Sequence, residues 1–361
     1  MKKHYFLGLA ANKKEAWRHA LTHGSKKDVL ALKDFLREKY QGETMLTKNG
    51  RSSLALALKA YFDRGDKVLV NGFTCFAVYE AVKAAGLEPV FVDIRREDLN
   101  FDEKTLGEAM EKGVKGIIVQ NSLGNPVDIE KIEKFAKENG LIIIEDLAHC
   151  VGIKYSDGRE SGTVGVATAL SFGKDKSIDT ISGGAVVFRA PKKHEIKAPS
   201  LPPKKSDNFR ARMYPVFGRM CRRLTRIHLG GVMMKFLLKT HQVERSADSR
   251  LDLERGIAKF EAKLALEQLK NLKSTGEPPI REFFLVNNRK EVLNKLKKAG
   301  FYFDGFWYEK PVSPVRYYKK VHFPEEKCPV AVEVSEKIIN FPTHYKKSEL
   351  KESYNIIKEY L

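Results

Sequence analysis

Two stretches of the sequence decide the fold: Leu141-Ile-Ile-Ile-Glu-Asp-Leu-Ala-His149 and Ala169-Leu-Ser-Phe-Gly-Lys-Asp-Lys176. Each begins with a continuous apolar run, which is typical of a strand that a sheet buries on both faces. Polar side chains follow each run, an acid in the first stretch and lysines in the second. Because ligands bind at the carboxyl ends of strands in open α/β sheets, we expect Asp146 to face a ligand.

The surrounding sequence alternates short apolar runs with helical stretches. Runs at 68–70, 89–93, 116–120 and 141–144 predict strands, and the intervening stretches 76–85, 103–112 and 129–139 predict helices. This alternation is typical of an α/β fold with a mostly parallel sheet. A long helix at about 253–272 is expected to lead into a smaller C-terminal region of α+β character.

Length and composition bound the architecture. A chain of 361 residues exceeds one small core, so we expect an N-terminal arm and a large domain at 1–250 and a small domain at 251–361. The hydrophobic fraction of 42% permits a full globular core. No run approaches the roughly 18 consecutive apolar residues of a membrane span. Charge returns at Lys13 and Lys14 after a short apolar stretch, so a signal peptide is not expected.

The cysteines indicate the cellular setting. Cys75, Cys150, Cys221 and Cys328 are scattered, without the close pairs of a zinc site or the density of a secreted scaffold. We therefore expect a reducing, cytoplasmic environment and no structural metal.

The charge of the chain is strongly positive, at +19. Such an excess attracts phosphates, anionic lipid or nucleic acid without specificity, and a uniformly lysine-rich surface is the simpler explanation. No nucleic-acid motif appears, so no specific nucleic-acid partner is expected.

A basic helical insertion is expected near 208–243, after a proline-bearing connector. Arginines and lysines are interleaved with apolar residues over 214–243, and Gly230-Gly231 is expected to split the segment into two helices. Basic amphipathic helices lie on anionic membrane surfaces, which would make a peripheral membrane contact. The favoured alternative is a helical insertion that packs its apolar stripe on its own domain.

A second polar motif, Asn49-Gly-Arg-Ser-Ser-Leu-Ala-Leu-Ala-Leu58, has the features of a phosphate site. Gly50 allows a close turn, Ser52 and Ser53 offer hydroxyl donors, and a helix follows whose N-terminus favours an anion. An ordinary capped helix explains the same residues, so this motif gains weight only beside the first two stretches.

An acid after one strand and a lysine after another are what a pyridoxal phosphate enzyme requires. The lysine amine forms a Schiff base with the cofactor aldehyde, and a carboxylate keeps the pyridine nitrogen protonated. Asp146 is the candidate carboxylate, although it or Glu145 would also fit a helix cap. His149 would reach the ring edge or act as a structural hydrogen bonder. Local chemistry does not choose between Lys174 and Lys176, which also fit solvated loop lysines.

These motifs, in this order, resemble the DegT/DnrJ/EryC1/StrS family of pyridoxal phosphate-dependent, sugar-modifying aminotransferases. The likeness covers 47–189 and resumes at 259–269 and 328–344. In that family the Schiff-base lysine lies five residues after a phosphate-binding serine and seven and eight before a Gly-Gly pair, which selects Lys176 and assigns Ser171. Glu145-Asp-Leu-Ala-His149 matches the family's Glu-Asp-Ala-Ala-(Gln/His) motif. The resemblance gives Asp146 the pyridine nitrogen and His149 the ring hydroxyl.

The resemblance also implies a fold and partners. The fold would be fold type I, a mostly parallel seven-stranded sheet sandwiched by helices, with a smaller α+β C-terminal domain. The protein would be a homodimer with active sites at the subunit interface. It would transfer an amino group from glutamate or glutamine to a keto-sugar attached to a nucleotide.

The phosphate turn matches the family less closely. Asn49-Gly-Arg-Ser52 stands for the family's Ser-Gly-Thr-Ala, which implies cofactor contacts from Gly50, Arg51 and Ser52. Arg51 replaces the usual threonine, so a charge-assisted contact would replace one from a hydroxyl group.

Two further departures concern the ring and the partner subunit. Cys75 occupies the position of the aromatic residue that stacks on the cofactor ring, which leaves Phe76 or Phe73 as substitutes. Glu254 falls where many members place an asparagine that reaches the phosphate of the partner subunit.

Two other functions compete with amino transfer. Sugar dehydration uses the same scaffold, but the branch that performs it replaces the lysine with histidine, and Lys176 argues against it. The second competing function is that of a protein that mainly binds a membrane through 214–243.

The aromatic run 301–308 is interpreted as small-domain core, with Trp307 and Tyr308 as the exceptions that would line an acceptor pocket.

Overall fold

The computed structural model describes residues 3–5, 13–225, 229–240, 250–272, 280–303, 307–343 and 350–361. Some of the assignments made from the sequence lie outside these ranges. They are most of the N-terminal arm, residues 226–228 and 241–243 of the basic segment, and His344 at the end of the C-terminal motif.

A seven-stranded sheet forms the centre of the described chain. Its spatial order is β2 (Glu43–Thr47), β9 (Gly184–Phe188), β8 (Ala167–Ser171), β7 (Ile142–Asp146), β6 (Val114–Gln120), β3 (Lys67–Asn71) and β5 (Glu88–Val92). Neighbouring strands are parallel except that β9 is antiparallel to both β2 and β8. The α/β class and the mostly parallel seven-stranded sheet are confirmed.

Helices cover both faces of this sheet. One face packs against α3 (Gly50–Tyr61) and α4 (Phe76–Ala84), and the other against α2 (Lys26–Tyr40), α5 (Glu103–Ala109), α6 (Ile129–Glu138) and α9 (Lys259–Asn271). Successive side chains of a strand point to opposite faces. In β7, Ile144 packs in the α3 cluster and Ile143 in the α6 cluster. Because both faces are buried, this strand is continuously apolar rather than alternating.

The long helix predicted at 253–272 begins later, at Lys259, so the predicted start was wrong. Asp252 forms a turn instead, because its Oδ1 accepts the backbone N–H groups of Glu254 at 3.2 Å and Arg255 at 3.1 Å. The carboxylate of Glu261 then caps the true N-terminus by accepting the N–H of Ala258 at 3.0 Å. Side-chain capping of this kind competes with helix extension.

The C-terminal part of the chain is α+β. β10 (Arg281–Leu285) pairs with β13 (Ile338–Pro342), β11 (Phe301–Phe303) with β1 (Lys3–Tyr5), and β12 (Val312–Ser313) with β4 (Thr74–Cys75). The helices here are α10 (Arg289–Lys298), α11 (Val315–Val321), α12 (Pro329–Lys337) and α13 (Lys351–Lys358). The domain boundary at residue 250 stays a prediction, and α9, which follows it, packs in one cluster with α2.

The basic segment forms a helical hairpin, α7 (Lys205–Thr225) and α8 (Gly230–Lys239), with α8 beginning at the predicted glycine pair. α7 lies on α1 (Lys13–Leu21), where the backbone carbonyl of Ala211 lies 3.0 Å from Nε2 of His19. Leu237 of α8 packs against Cys221 of α7. The expected packing of an apolar stripe on the protein itself is therefore observed for one face of α8. Within the described ranges, no helix is long and apolar enough to cross a membrane.

Two leucines of α2 test how the sheet face is stabilised. Leu36 is fully buried and Leu30 is 60% exposed on the same helix. We expect Leu36→Ala to lower the free energy of unfolding by about 2–5 kcal/mol, because it leaves a cavity against β8 and β9. Leu30→Ala is the matched control and should change it by less than about 0.5 kcal/mol. Urea denaturation of both variants makes the comparison, and equal losses would contradict the packing described.

Candidate active site

The polar ends of β7 and β8 lie side by side at the carboxyl edge of the sheet. Asp146 ends β7 and lies opposite Ala169 of its parallel neighbour β8. Seven of the nine site residues predicted from the sequence line the cavity at this edge: Gly50, Arg51, Cys75, Asp146, His149, Ser171 and Lys176. Ser52 and Phe76 are not among the lining residues.

A hydrogen bond joins Lys176 to His149 at the centre of this cavity. Nζ of Lys176 lies 2.9 Å from Nε2 of His149, while Nδ1 of His149 accepts the backbone N–H of Leu123 at 3.3 Å. Because Nδ1 is an acceptor, a neutral imidazole carries its proton on Nε2. Nε2 then donates to Nζ, which requires a lone pair on the amine. This geometry fits an unprotonated Lys176, the nucleophilic form of lysine.

Burial shifts the pKa values of Lys176 and His149 in the direction that this arrangement needs, whereas for Asp146 it opposes the charged form. It lowers the pKa of Lys176 from the ordinary value of 10.5, against the opposing negative charges of Asp146 and Asp175. Burial also lowers the pKa of His149 well below its ordinary value of 6.5. It raises the pKa of Asp146. Neutral forms of the amine and the imidazole are therefore favoured.

The two adjacent acids at the end of β7 have separate roles. Glu145 is fully buried, accepts the backbone N–H groups of the loop 162–165, and pairs with Arg189 at 3.2 Å. Asp146 accepts the N–H of Ala148 at 2.9 Å and turns toward the cavity. Glu145 therefore holds a loop in place, and Asp146 alone of the two is available to a ligand.

The two lysines that follow β8 are also separated. Nζ of Lys174 lies 3.5 Å from the carboxylate of Asp175 and 4.6 Å from the ring centre of Tyr214. Lys174 does not line the cavity, whereas Lys176 does. The structure thus distinguishes two lysines that local chemistry alone left equivalent.

Gly50 and Ser171 meet at one end of the cavity. A Cβ atom at Gly50 would lie 2.4 Å from Cβ of Ser171, so only glycine fits. Gly184 of β9 closes the same contact, since its Cβ would lie 2.8 Å from the backbone N of Gly50. Because α3 begins at Gly50, the positive end of its dipole lies at this wall of the cavity. The arrangement suits an anion such as a phosphate.

The two residues after Gly50 already have protein partners. Arg51 is buried and pairs with the carboxylate of Glu80. The hydroxyl of Ser52 donates to Oδ1 of Asn49 at 2.9 Å and accepts the N–H of Asp252 at 3.1 Å. Ser52 therefore takes part in capping α3, so the capped-helix explanation holds for it while Gly50 and Arg51 face the cavity.

Neither phenylalanine replaces the stacking aromatic at the position of Cys75. The ring of Phe76 stacks on that of Tyr317 at 4.3 Å, outside the cavity lining. Phe73 is fully buried against the ring of Tyr308 at 4.4 Å. Tyr308 is 3% exposed and belongs to the core, so the expectation that it would line an acceptor pocket was wrong.

Trp307 brings an aromatic ring to the site, as the sequence allowed. Its ring centre lies 5.1 Å from that of His149 and 4.8 Å from Nζ of Lys176. The guanidinium carbon of Arg281 lies 4.6 Å from the same ring, and Arg281 is only 2% exposed. The sequence did not suggest Arg281, because nothing near it sets it apart from the other cations of a basic chain.

A larger cavity, of about 710 Å³, lies away from this site. It is enclosed by α2, β2, the connector 198–203 and the start of α9, and its lining contains no Asp or Glu. It therefore lacks a carboxylate such as that of Asp146 in the cavity beside Lys176. No cluster of His, Cys, Asp or Glu suited to a metal occurs among the residues that the structure describes.

Comparison with known proteins identifies the family. The model of the DegT/DnrJ/EryC1/StrS aminotransferase family matches residues 19–358. The chain belongs to this family. The motifs that suggested the resemblance all lie within the matched range.

Similarity to curated members of the DegT/DnrJ/EryC1/StrS family is limited to part of the chain. A pleiotropic regulatory protein from Geobacillus stearothermophilus is 35% identical over 39% of this chain and 38% of its own length. A GDP-perosamine synthase from Escherichia coli is 36% identical over 38% of each protein. A GDP-4-keto-6-deoxy-D-mannose 3-dehydratase from Yersinia pseudotuberculosis is 32% identical over 38% of this chain and 34% of its own. The chain thus spans less than two fifths of these relatives.

Solved structures agree over nearly the whole fold. A DegT DnrJ EryC1 StrS aminotransferase from Brucella abortus superposes with a TM-score of 0.66 at 20% identity, covering 92% of this chain and 90% of that one. DesV from S. venezuelae, in complex with a ketimine intermediate, gives 0.66 at 20% identity, covering 97% and 94%. At this identity the agreement shows the fold.

The pKa of Lys176 gives a direct test of the site. Burial disfavours the ammonium ion, so the amine should become reactive at a lower pH than that of an ordinary lysine. We expect the rate of reductive methylation of Lys176, followed by peptide mass spectrometry against pH, to reach its midpoint below 10.5. The same peptide in urea-unfolded protein is the control. Equal midpoints in the folded and unfolded protein would contradict the geometry.

Proposed function

We propose that this protein is a pyridoxal phosphate-dependent aminotransferase that moves an amino group from glutamate or glutamine to a nucleotide-linked keto-sugar. The observation that carries the proposal is the 2.9 Å contact between Nζ of Lys176 and Nε2 of His149, within one cavity with Asp146. Family membership supports the reaction class. Relatives named GDP-perosamine synthase and UDP-2-acetamido-2-deoxy-3-oxo-D-glucuronate aminotransferase support the acceptor class.

The residues present fit pyridoxal phosphate. Within the described chain Asp146 forms no ion pair, and it accepts the backbone N–H of Ala148 although it is only 8% exposed. A buried carboxylate of this kind is stabilised by a cationic partner, and a protonated pyridine nitrogen is one. When bound, the cofactor supplies the electron sink for the reaction. Solved relatives include a putative sugar aminotransferase from Streptococcus pneumoniae in its PLP-form.

The remaining chemistry belongs to the side chains. Lys176 supplies the amine that holds the cofactor and, once released, takes and returns a proton at the reacting carbon of the substrate. His149 keeps Nζ in position through Nε2 and its ring lies beside Trp307. The carboxylate of Asp146 would hold the protonated ring nitrogen of the bound cofactor. Because Nζ is held by a neutral donor, it can take up a proton without first losing one.

The phosphate would bind at the turn between Gly50 and Ser171. Gly50 at the start of α3 and Ser171 line this end of the cavity. Arg51 adds a cation, but it is paired with the carboxylate of Glu80. We therefore expect Arg51 to strengthen phosphate binding only when this ion pair opens. We assign no phosphate contact to Ser52, whose hydroxyl is engaged in the cap of α3.

We propose further that the enzyme is a homodimer with its active sites at the subunit interface, as the family resemblance implies. At the position where many members of the family place an asparagine that reaches the phosphate of the partner subunit, this chain carries Glu254, so that contact would differ. A cytoplasmic location is supported by the four cysteines, which are all free thiols.

Sugar dehydration is the second candidate, since dehydratases occur among the similar proteins. A lysine at position 176 favours amino transfer, because the dehydratase branch carries histidine there. Both reactions would share the cofactor site, so the sugar product decides between them. Incubation with glutamate and a nucleotide-linked keto-sugar should yield 2-oxoglutarate and an equal amount of amino sugar. A deoxy sugar that has lost water and carries no new amino group would favour the dehydratase.

The lysine pair offers a matched test of the catalytic assignment. We expect Lys176→Ala to reduce the glutamate half-reaction by at least about 1000-fold, since both the attachment point and the proton carrier are lost. Lys174→Ala, which removes a neighbouring amine outside the cavity, should retain activity within about tenfold. Stopped-flow absorbance measures both. Activity that survives in the first variant but is lost in the second would reverse the assignment.

The glycine turn can be tested separately. Gly50→Ala introduces a Cβ atom that collides with Ser171, so the phosphate should be displaced and kcat/KM should fall by about 100-fold. Gly231→Ala is the control, because a Cβ atom there meets nothing within 4 Å. Fluorescence titration with pyridoxal phosphate should show weaker binding by the first variant only. Unchanged affinity of Gly50→Ala would place the phosphate elsewhere.

The partners we propose also include a membrane surface, contacted peripherally by the basic segment 208–243. This segment contains eight Lys or Arg residues and no Asp or Glu.

A further inference from the structure

One face of α8 is apolar and faces solvent. Leu229, Val232 and Phe236 are 51%, 64% and 58% exposed, and their spacing of three and four residues places them in one stripe along the helix. An adjacent face of α8 is already packed, since Leu237 and Met233 lie in a cluster with Cys221 of α7. The stripe is therefore in excess of what the hairpin needs for its own packing.

Cations flank the stripe. Lys235 and Lys239 are exposed on the same side of α8, and Arg223 is exposed on α7. Within the described part of the chain, these three form no ion pair. The segment 208–243 contributes a charge of +8 from 36 residues, in a chain whose total is +19. Two fifths of the excess charge is thus concentrated in a tenth of the sequence, which a uniformly basic surface does not explain.

We infer that this exposed face of α8, named here the α8 stripe (Leu229, Val232, Phe236 with Lys235 and Lys239), docks on an anionic lipid surface. Apolar side chains at the level of the headgroups beside cations that meet the lipid phosphates are the features of an interfacial helix. The charge is complementary to anionic lipid, which attracts each Lys or Arg near the surface. The inference makes the proposed membrane contact specific and does not depend on the amino-transfer reaction.

A second copy of the chain fits this face less well. In a two-fold symmetric contact through the stripe, Lys235 and Lys239 would meet the same residues of the partner copy. Like charges so placed oppose association, and the segment offers no acid of its own to offset them. The stripe covers about 10 Å of helix at 1.5 Å per residue, a length that suits shallow insertion between headgroups.

The hairpin is fixed rigidly to the catalytic end of the large domain. Asp207 at the start of α7 pairs with Lys48 at 2.8 Å, one residue before the capped turn of α3. Tyr214 of α7 lies against Lys174 in the loop that carries Lys176. A lipid surface under α8 would therefore lie on the side of the fold where these two loops meet α7.

Vesicle sedimentation tests the inference with the full chain loaded with cofactor. Vesicles of phosphatidylcholine and phosphatidylglycerol in equal parts should bind the protein, while phosphatidylcholine alone should bind it weakly. Added salt should weaken the binding. The double variant Val232→Ser/Phe236→Ser should reduce binding by about tenfold or more, because two inserting side chains are lost. Lys235→Glu/Lys239→Glu should reduce it by a similar factor.

Matched controls change equally exposed residues elsewhere. Leu21→Ser/Leu30→Ser removes apolar side chains that are 66% and 60% exposed, and Lys134→Glu/Lys137→Glu reverses two exposed lysines of α6. Both should bind vesicles as the natural protein does. The glutamate half-reaction of every variant should stay unchanged, which separates loss of docking from loss of folding or of catalysis.

Three results would overturn the inference. The natural protein would fail to bind anionic vesicles, or the α8 variants and the control variants would lose binding equally. In the third, size-exclusion chromatography would show that the α8 stripe variants change their oligomeric state while their lipid binding stays the same. That result would assign the face to a second copy of the chain.

Discussion

The hydrogen bond between Nε2 of His149 and Nζ of Lys176 is the interaction on which the site depends. Nδ1 of His149 accepts the backbone N–H of Leu123, so Nε2 carries the proton and donates to Nζ. A buried ammonium would lose its water and gain no acceptor from this imidazole, so burial and this hydrogen bond both favour the neutral amine. The fold thereby delivers a nucleophilic lysine and a buried carboxylate, Asp146, to one edge of a parallel sheet.

Much of this arrangement was predictable because it follows from strong local patterns. A strand buried on both faces is continuously apolar, and the acid that ends it must lie at the sheet edge, so β7 and Asp146 could be placed from sequence. The choice of Lys176 over Lys174 needed the spacing of a known family. Nothing local distinguishes two lysines that flank a single aspartate, and only the folded loop directs one inward.

The features that the sequence analysis predicted wrongly or did not find have physical causes. The start of α9 was set too early, because the side chain of Asp252 captures the N–H groups of a turn that apolar periodicity does not report. Ser52 was expected to face a phosphate but is used in capping, since a hydroxyl serves either purpose equally well. Trp307 and Arg281 approach the site from distant parts of the sequence, and such contacts are set by tertiary packing alone. The exposed stripe of α8 needed the structure too, because sequence periodicity cannot show which of two apolar faces is covered.

Borohydride reduction of the protein with pyridoxal phosphate, followed by peptide mapping, tests the central claim most directly. Reduction makes the bond between cofactor and lysine permanent, so the modified residue can be read by mass spectrometry. The predicted result is a pyridoxyl group on Lys176. It should be absent from a control in which buffer replaces the cofactor. A pyridoxyl group on Lys174, or a protein that takes up no cofactor at saturation, would contradict the account.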